Sequence, residues 1–166
     1  MLSAYLGYLW CFERVLVRAP SGRQRFNVLG ALNAVTHELI TVTNDSYINS
    51  VSVGRLLEKI ATLDLKTPIT LIMDNARYQR CHYVLEIAAS LNIELLFLPP
   101  YSPNLNLIER LWKFVRKECL YDKYYENFSL FRQAIADCLS QTTTKHYDDL
   151  HSLLTLSFQS FEKLKS

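Results

Sequence analysis

A single domain of mixed α/β class is what the sequence predicts, and three observations predict it. Near the start, β-like segments follow one another closely: Phe12 to Arg18 and Phe26 to Ala31 flank the turn PSGR, and ELITVT follows at 38–43. Further on, two apolar runs alternate with helical stretches, the pattern of parallel strands joined by a right-handed crossover. Lastly, 166 residues at 49% hydrophobic and 20% charged can bury one compact core and do not have the composition of a disordered chain. The expected product is a mixed sheet with flanking helices.

Each element has its own signal. The early segments read as an antiparallel start, closed by the polar break NDS. In YINSVSVGRLLEKIATL, Val53, Leu56, Leu57, Ile60 and Leu63 recur at helical spacing, which predicts a helix over about 49–63. PITLIMDN is apolar on both faces and so suits a buried central strand; CHYVLEIAASLN is helical, and IELLFLPP repeats the strand pattern. A helix over about 104–120 presents Leu105, Ile108, Leu111, Trp112, Val115 and Cys119 on one face. FSLFRQAIADCLSQ and YDDLHSLLTLSFQSFEKL then read as two amphipathic helices that cover the sheet or extend an interface. No repeat, linker or low-complexity tract interrupts the chain.

Bulk properties narrow the classes. A formal charge of +2 and a pI near 8.3 do not demand a polyanionic partner, so the distribution of charge matters more than its sum. Cys11, Cys81, Cys119 and Cys138 are far apart, without a CxxC pair or zinc-type histidine spacing, which fits reduced thiols in a cytoplasmic setting. The opening MLSAYLGYLWCFERVLVR is apolar for too short a stretch to span a bilayer and lacks a basic start, so no membrane association is expected.

The chemistry falls to acids, since the chain carries no nucleophile motif, glycine-rich phosphate loop or histidine cluster. Asp74 ends the apolar strand TLIMD at the carboxyl edge where open α/β sheets place ligands, and Asn75 follows it. Glu109 lies in the first turn of the next helix, at the border of its apolar face. Plain structural roles are open to both: a turn or cap for Asp74, a dipole-favoured first-turn acid for Glu109. Taken together, however, they leave neighbouring strands at the same edge. Hard oxygen ligands there suit Mg²⁺ or Mn²⁺, and two such ions about 4 Å apart support phosphoryl transfer. Pro99, Pro100 and Pro103 would stiffen the loop that aims Glu109, or simply make a strand-to-helix turn with Ser102 as cap.

Basic residues surround these acids. Arg77 and Arg80 follow Asp74, while Arg110, Lys113, Arg116 and Lys117 share the helix of Glu109, so they are candidates for holding the phosphates of a substrate. A solvated helix face is the alternative. Trp112 belongs to the apolar face and reads as core, and His82, His146 and His151 read as surface or packed histidines. Tyr121, Tyr124 and Tyr125 suit an exposed turn or a dimer contact.

MDNARYQRC followed by LPPYSPNLNLIERLWKFVRK, with residues 75–108 between the two acids, resembles the second and third acids of a DDE transposase of the mariner-like superfamily, in its bacterial insertion-sequence branch. An apolar strand ending in Asp-Asn-Ala, a Pro-Tyr-Ser-Pro loop, and Leu-Asn, Ile-Glu and Trp in register carry the likeness. FNVLGALNA at 26–34 is also similar to that family's strand after the first acid, and the likeness extends over roughly 10–120. Leu107 stands where the family often has proline. The resemblance implies a ribonuclease H-like fold that cuts and joins DNA with two divalent ions, with Asp74 and Glu109 as catalytic metal ligands and with transposon ends and target DNA as partners. It implies a nucleoid-associated protein, a possible homodimer and no small-molecule substrate.

The family's first aspartate should end a strand upstream of FNVLGALNA, and no residue fits that place. Glu13 sits beside Arg14, and Glu38 and Asp45 come after the matching strand. The expectation is therefore a single catalytic domain over 1–166 that begins downstream of the first catalytic strand and lacks the family's helix-turn-helix region, with cleavage and strand transfer disabled. Two alternatives accompany it. One is a non-catalytic remnant that binds DNA or dimerises with, and inhibits, a full-length transposase; the other is a different ribonuclease H-like nuclease taking its third acid from Glu13 or Asp45.

Overall fold

The computed structural model describes residues 24–100, 102 and 105–157. The segment Phe12 to Arg18, with Glu13 inside it, lies outside the described residues, as do Tyr101 and Pro103. β1 (Asn27–Leu32) and β2 (Leu39–Asn44) form an antiparallel hairpin, with Asn27 opposite Asn44 and Leu32 opposite Leu39. Its loop is fixed by Asn33, whose Oδ1 accepts from the backbone N–H of Val35 at 2.9 Å and of Thr36 at 3.0 Å. Such local bonds give a turn a substitute for ladder pairing. At the open end, Asn27 Nδ2 donates to Asn44 Oδ1 at 2.9 Å.

α1 (Ser50–Ala61) starts at a reciprocal cap: Asn49 Oδ1 accepts from Ser52 N–H at 3.1 Å, and Ser52 Oγ accepts from Asn49 N–H. β3 (Ile69–Met73) and β4 (Ile93–Phe97) pair in parallel, joined by a single 3-10 turn at Arg77–Gln79 and α2 (His82–Ser90). α3 (Leu107–Cys119), α4 (Phe128–Ser140) and α5 (Tyr147–Leu153) complete the order.

Alternation along the hairpin gives it two covered faces. Leu29, Ala31, Ile40 and Val42 join the cluster built on Val53, Leu56, Leu57 and Ile60 of α1 and Val84 and Ala88 of α2. Val28, Leu32 and Leu39 point the other way, into the cluster formed by Leu111, Phe114 and Val115 of α3, Phe131 and Ile135 of α4, and Leu150 of α5. The hairpin is thus a middle layer between helices on both sides.

The parallel pair is covered differently. Ile69, Leu71, Met73, Ile93, Leu95 and Phe97 belong to the α1–α2 cluster, whereas Ile72 (53% exposed) and Leu96 (48% exposed) face outward. The expectation of a strand buried on both faces therefore holds for one face of β3 only, because α3 to α5 cover the hairpin and not the parallel pair. Among the described residues the four strands also form two separate pairs, not the one continuous sheet expected.

Two glycines set helix distances. A Cβ on Gly30 of β1 would stand 3.1 Å from Trp112 Cζ2 and 3.3 Å from Ile108 Cδ1, so its absence lets α3 lie directly on the hairpin. On Gly54 of α1 it would stand 2.9 Å from Ile87 Cδ1 of α2. Phe114, not named on the apolar face read from the sequence, is a core residue: it is buried and packs edge-on to the buried His146 ring at 5.1 Å. Cys119 and Cys138 are buried free thiols between α3 and α4, and their mutual hydrogen bond, with burial, holds Cys119 protonated far above the ordinary thiol value.

The helical pattern over YDDLHSLLTLSFQSFEKL stops, among the described residues, at Leu153. The reason is Arg110 on α3, whose guanidinium donates to the carbonyls of Leu153 at 3.2 Å, Thr155 at 2.8 Å and Ser157 at 3.1 Å. These carbonyls point at a neighbouring helix instead of along their own, so the chain cannot continue as a helix there.

Gly30→Val should force Trp112 and Ile108 apart from β1 and destabilise the fold by about 1–3 kcal/mol in urea unfolding, the usual cost of overpacking. For Arg110→Ala, the expected result is a loss of about 1–2 kcal/mol, with faster amide hydrogen exchange confined to residues around 150–157. Lys113→Ala on the exposed face of the same helix should stay within about 0.5 kcal/mol of the parent protein.

Candidate active site

β3 and β4 deliver the chain to a common edge. Leu98 N–H donates to the Met73 carbonyl at 2.8 Å, so the chain leaving β4 passes directly beside the point where β3 ends and Asp74 begins. Asp74 is exposed, and its carboxylate has no hydrogen bond or ion pair among the described residues. Its charge is felt by Tyr78 in the following turn. Burial pushes the Tyr78 phenol above its ordinary value, Asp74 pushes it the same way, and a hydrogen bond with the Gln79 side chain opposes both.

Two amide oxygens beside Asp74 are orphaned. Asn75 Oδ1 and Gln79 Oε1 are buried and have no hydrogen-bond partner among the described residues, and Gln79 as a whole is 6% exposed. Buried polar atoms are nearly always satisfied, so these two amide oxygens are unusual features of the segment that follows Asp74.

Glu109 occupies the third position of α3. The cap residue Asn106 makes no side-chain cap bond, although its carbonyl accepts from Glu109 N–H at 3.1 Å. An Asn-x-x-Glu start could close a capping box, yet the half-buried Glu109 carboxylate makes no hydrogen bond or ion pair among the described residues. The helix dipole favours a negative charge there. Its position follows from the seat of the helix: the neighbouring Ile108 and Trp112 rest on Gly30 and lock the first turn against β1.

Asp74, Glu109 and the Asn75 carbonyl are all hard oxygen donors, the type that Mg²⁺ and Mn²⁺ accept, and Mg²⁺ is commonly held by one or two carboxylates plus substrate phosphates. The residues therefore fit such an ion. They do not enclose it by themselves: among the described residues no three His, Cys, Asp or Glu side chains are grouped to hold a metal. Asp45 is ion-paired with Arg132 of α4 at 3.0 Å, and Glu38 accepts from Thr36 Oγ at 3.0 Å, so neither joins the two acids. Glu13 lies outside the described residues.

Of the basic residues singled out, Lys113, Arg116 and Lys117 are exposed on α3, and Arg77 and Arg80 are exposed after Asp74. Arg110 is already engaged with the carbonyls that follow α5. His82 pairs with Glu86 at 3.0 Å, and His151 stands edge-on to His37. Tyr121 and Tyr124 are exposed, while the Tyr125 hydroxyl donates to the Cys119 carbonyl. Sequence reasoning passed over the orphaned amides of Asn75 and Gln79, which in a string such as DNARYQ look like ordinary turn formers. No helix of the described residues is long and apolar enough to cross a membrane.

Comparison with known proteins places this arrangement. Among curated proteins, the uncharacterised protein y4pE/y4sA of Sinorhizobium fredii (strain NBRC 101917 / NGR234) is 36% identical over 58 residues, which cover 35% of this chain and 41% of that one. The match thus spans less than half the relative's length. Among solved structures, the fold is similar to a chain of the cryo-EM structure of the simian T-cell lymphotropic virus intasome in complex with PP2A regulatory subunit B56 gamma. The TM-score is 0.54 at 17% identity, over 86% of this chain and 54% of that one. The likeness establishes a ribonuclease H-like α/β fold. A sequence profile described as DDE superfamily endonuclease matches residues 13–132. With more than half of its residues inside that match, the chain belongs to the DDE endonuclease superfamily.

Proposed function

We propose that this chain is the catalytic domain of a DNA transposase of the bacterial insertion-sequence type, with Asp74 and Glu109 as its metal-holding acids. The observation that carries the reading is one of position: Asp74 follows β3 where the chain leaving β4 passes beside it, and Glu109 stands in the first turn of α3, both inside the span matched by the DDE endonuclease profile. An acid left uncompensated at a sheet edge and another at a helix start are where a superfamily that cuts DNA needs negative oxygen ligands. Mg²⁺ or Mn²⁺ bound there would supply charge neutralisation on a scissile phosphate and an activated attacking oxygen.

The chain's own residues divide the remaining work. Asp74 offers its oxygens from the rigid end of the parallel ladder. Glu109 offers its oxygens from a helix end whose position is fixed by Trp112 and Ile108 on Gly30. Lys113, Arg116 and Lys117 hold DNA phosphates along the exposed side of α3, giving affinity and position more than base choice. Arg110 anchors the segment after α5 and takes no part in DNA binding.

A second reading concerns this chain's present state: a remnant that binds metal weakly and DNA without cutting it, and acts by pairing with an intact transposase. Either way the setting is bacterial, cytoplasmic and close to the nucleoid.

In a Mn²⁺ titration followed by electron paramagnetic resonance, Asp74→Asn and Glu109→Gln should each weaken binding at least about tenfold, the scale on which a site's surroundings tune metal affinity. Binding unchanged in both variants would remove these acids from the site. The purified chain should not nick supercoiled DNA with Mg²⁺; nicking abolished by Asp74→Ala would mean that a third acid completes the site after all. In DNA binding, removing Lys113, Arg116 or Lys117 singly should lower the slope of log affinity against log salt by about one each.

A further inference from the structure

The acids leave a second group of side chains at the same sheet edge unexplained. Arg77, Arg80, Leu85 and Phe97 line an open pocket of about 440 Å³, within the span of small-ligand clefts, roughly 300 to 1,000 Å³. Three elements build it. Phe97 is the last residue of β4, opposite Met73; Arg77 opens the 3-10 turn and Arg80 closes it; and Leu85, 44% exposed, stands on α2.

Neither guanidinium has a hydrogen bond or ion pair among the described residues. Possible internal partners decline them. Asp74, three residues before Arg77, remains unpaired, and Glu86 on α2 is held by His82 at 3.0 Å. Two uncompensated arginines over a cleft call for an anion, and a phosphate suits the planar fork of five donors that each presents.

Phosphate alone does not explain the rest of the lining. An aromatic ring and a leucine opposite two arginines match a ligand with an anionic end and a flat apolar body, which is a nucleotide. A base inside duplex DNA shows only its edges in the grooves and reaches an aromatic face only after leaving the stack. We infer that the pocket holds one unstacked nucleotide of a single-stranded DNA segment, with its phosphate on Arg77 and Arg80 and its base against Phe97 and Leu85. The inference rests on the reading that this edge is where DNA is handled. It adds that the strand is recognised in its unpaired form, so an opened or already cut end is the substrate that fits.

Fluorescence anisotropy of the 166-residue chain in EDTA tests this with an oligothymidylate, a blunt duplex, and the same duplex carrying a short single-stranded overhang. The overhang and the oligothymidylate should bind more tightly than the blunt duplex. Arg77→Gln with Arg80→Gln should weaken both by about tenfold or more and the blunt duplex by clearly less, as expected for loss of a stacked, phosphate-clamped base. Phe97→Leu should lower single-strand affinity by about tenfold with the arginines intact, and Leu85→Ala, at an exposed position, should act in the same direction without disturbing thermal unfolding. Equal losses for all three probes would make the arginines general phosphate contacts and overturn the inference, as would unchanged binding in every variant. Duplex binding without a single-strand preference would sink the pocket assignment alone, whereas no binding of any probe would sink the DNA reading with it.

Discussion

The apolar face of α1 is the contact on which the rest of the molecule depends. Among the described residues the hairpin and the parallel pair exchange no backbone hydrogen bond, so no ladder fixes one against the other. α1 does so through packing: it lies on β1 and β2, and against α2, which in turn lies on β4. Val53 and Leu57 are fully buried in this contact, each contributing on the order of 1.5–3 kcal/mol of burial. Gly54 sets how closely the two helices meet, because any side chain there would run into Ile87 and Tyr83.

This arrangement determines how the two acids stand to one another. Asp74 rides on β3 within the α1–α2 layer, while Glu109 rides on α3, seated on the far face of the hairpin. The path from one to the other therefore runs through the hairpin and α1 as well as through the proline-containing loop. Close-packed interiors transmit small displacements, so a change in the α1 contact would reach the relative placement of the acids without touching either.

How much of this could be read from the residues varies with the kind of signal. Val53, Leu56, Leu57 and Ile60 announced α1 because helical spacing and burial coincide, and the four described strands fell within a residue or two of where their apolar runs lie. PITLIMDN misled on burial, since Ile72 is apolar and exposed; composition does not say which layer a later helix will cover. The helix expected through 164 ends at Leu153 because of a tertiary hydrogen-bond donor that local pattern cannot show. Asp74 and Glu109 were legible as candidates because an acid at a strand end and an acid in a first turn are conspicuous by position. Arg110 was not separable from its neighbours, since a cation on a helical wheel looks the same whether it meets a phosphate or a carbonyl. Phe97 and Leu85 were hidden for the opposite reason: apolar residues in a strand and a helix read as core.

The strand pairs also differ in how far apart in the chain their partners lie, which bears on the order in which they form. The hairpin closes over one short loop pinned by Asn33, an event of about 1–10 μs in isolated hairpins. Thr70 and Glu94 of the parallel pair are 24 residues apart, and a helix must cross between them before their ladder can form. The hairpin with α1 is thus expected to consolidate first and to serve as the surface on which β3, α2 and β4 assemble. Asp74 comes to rest only when that slower pairing is complete, so a chain released early would hold its scaffold while the edge that carries Asp74 was still unmade.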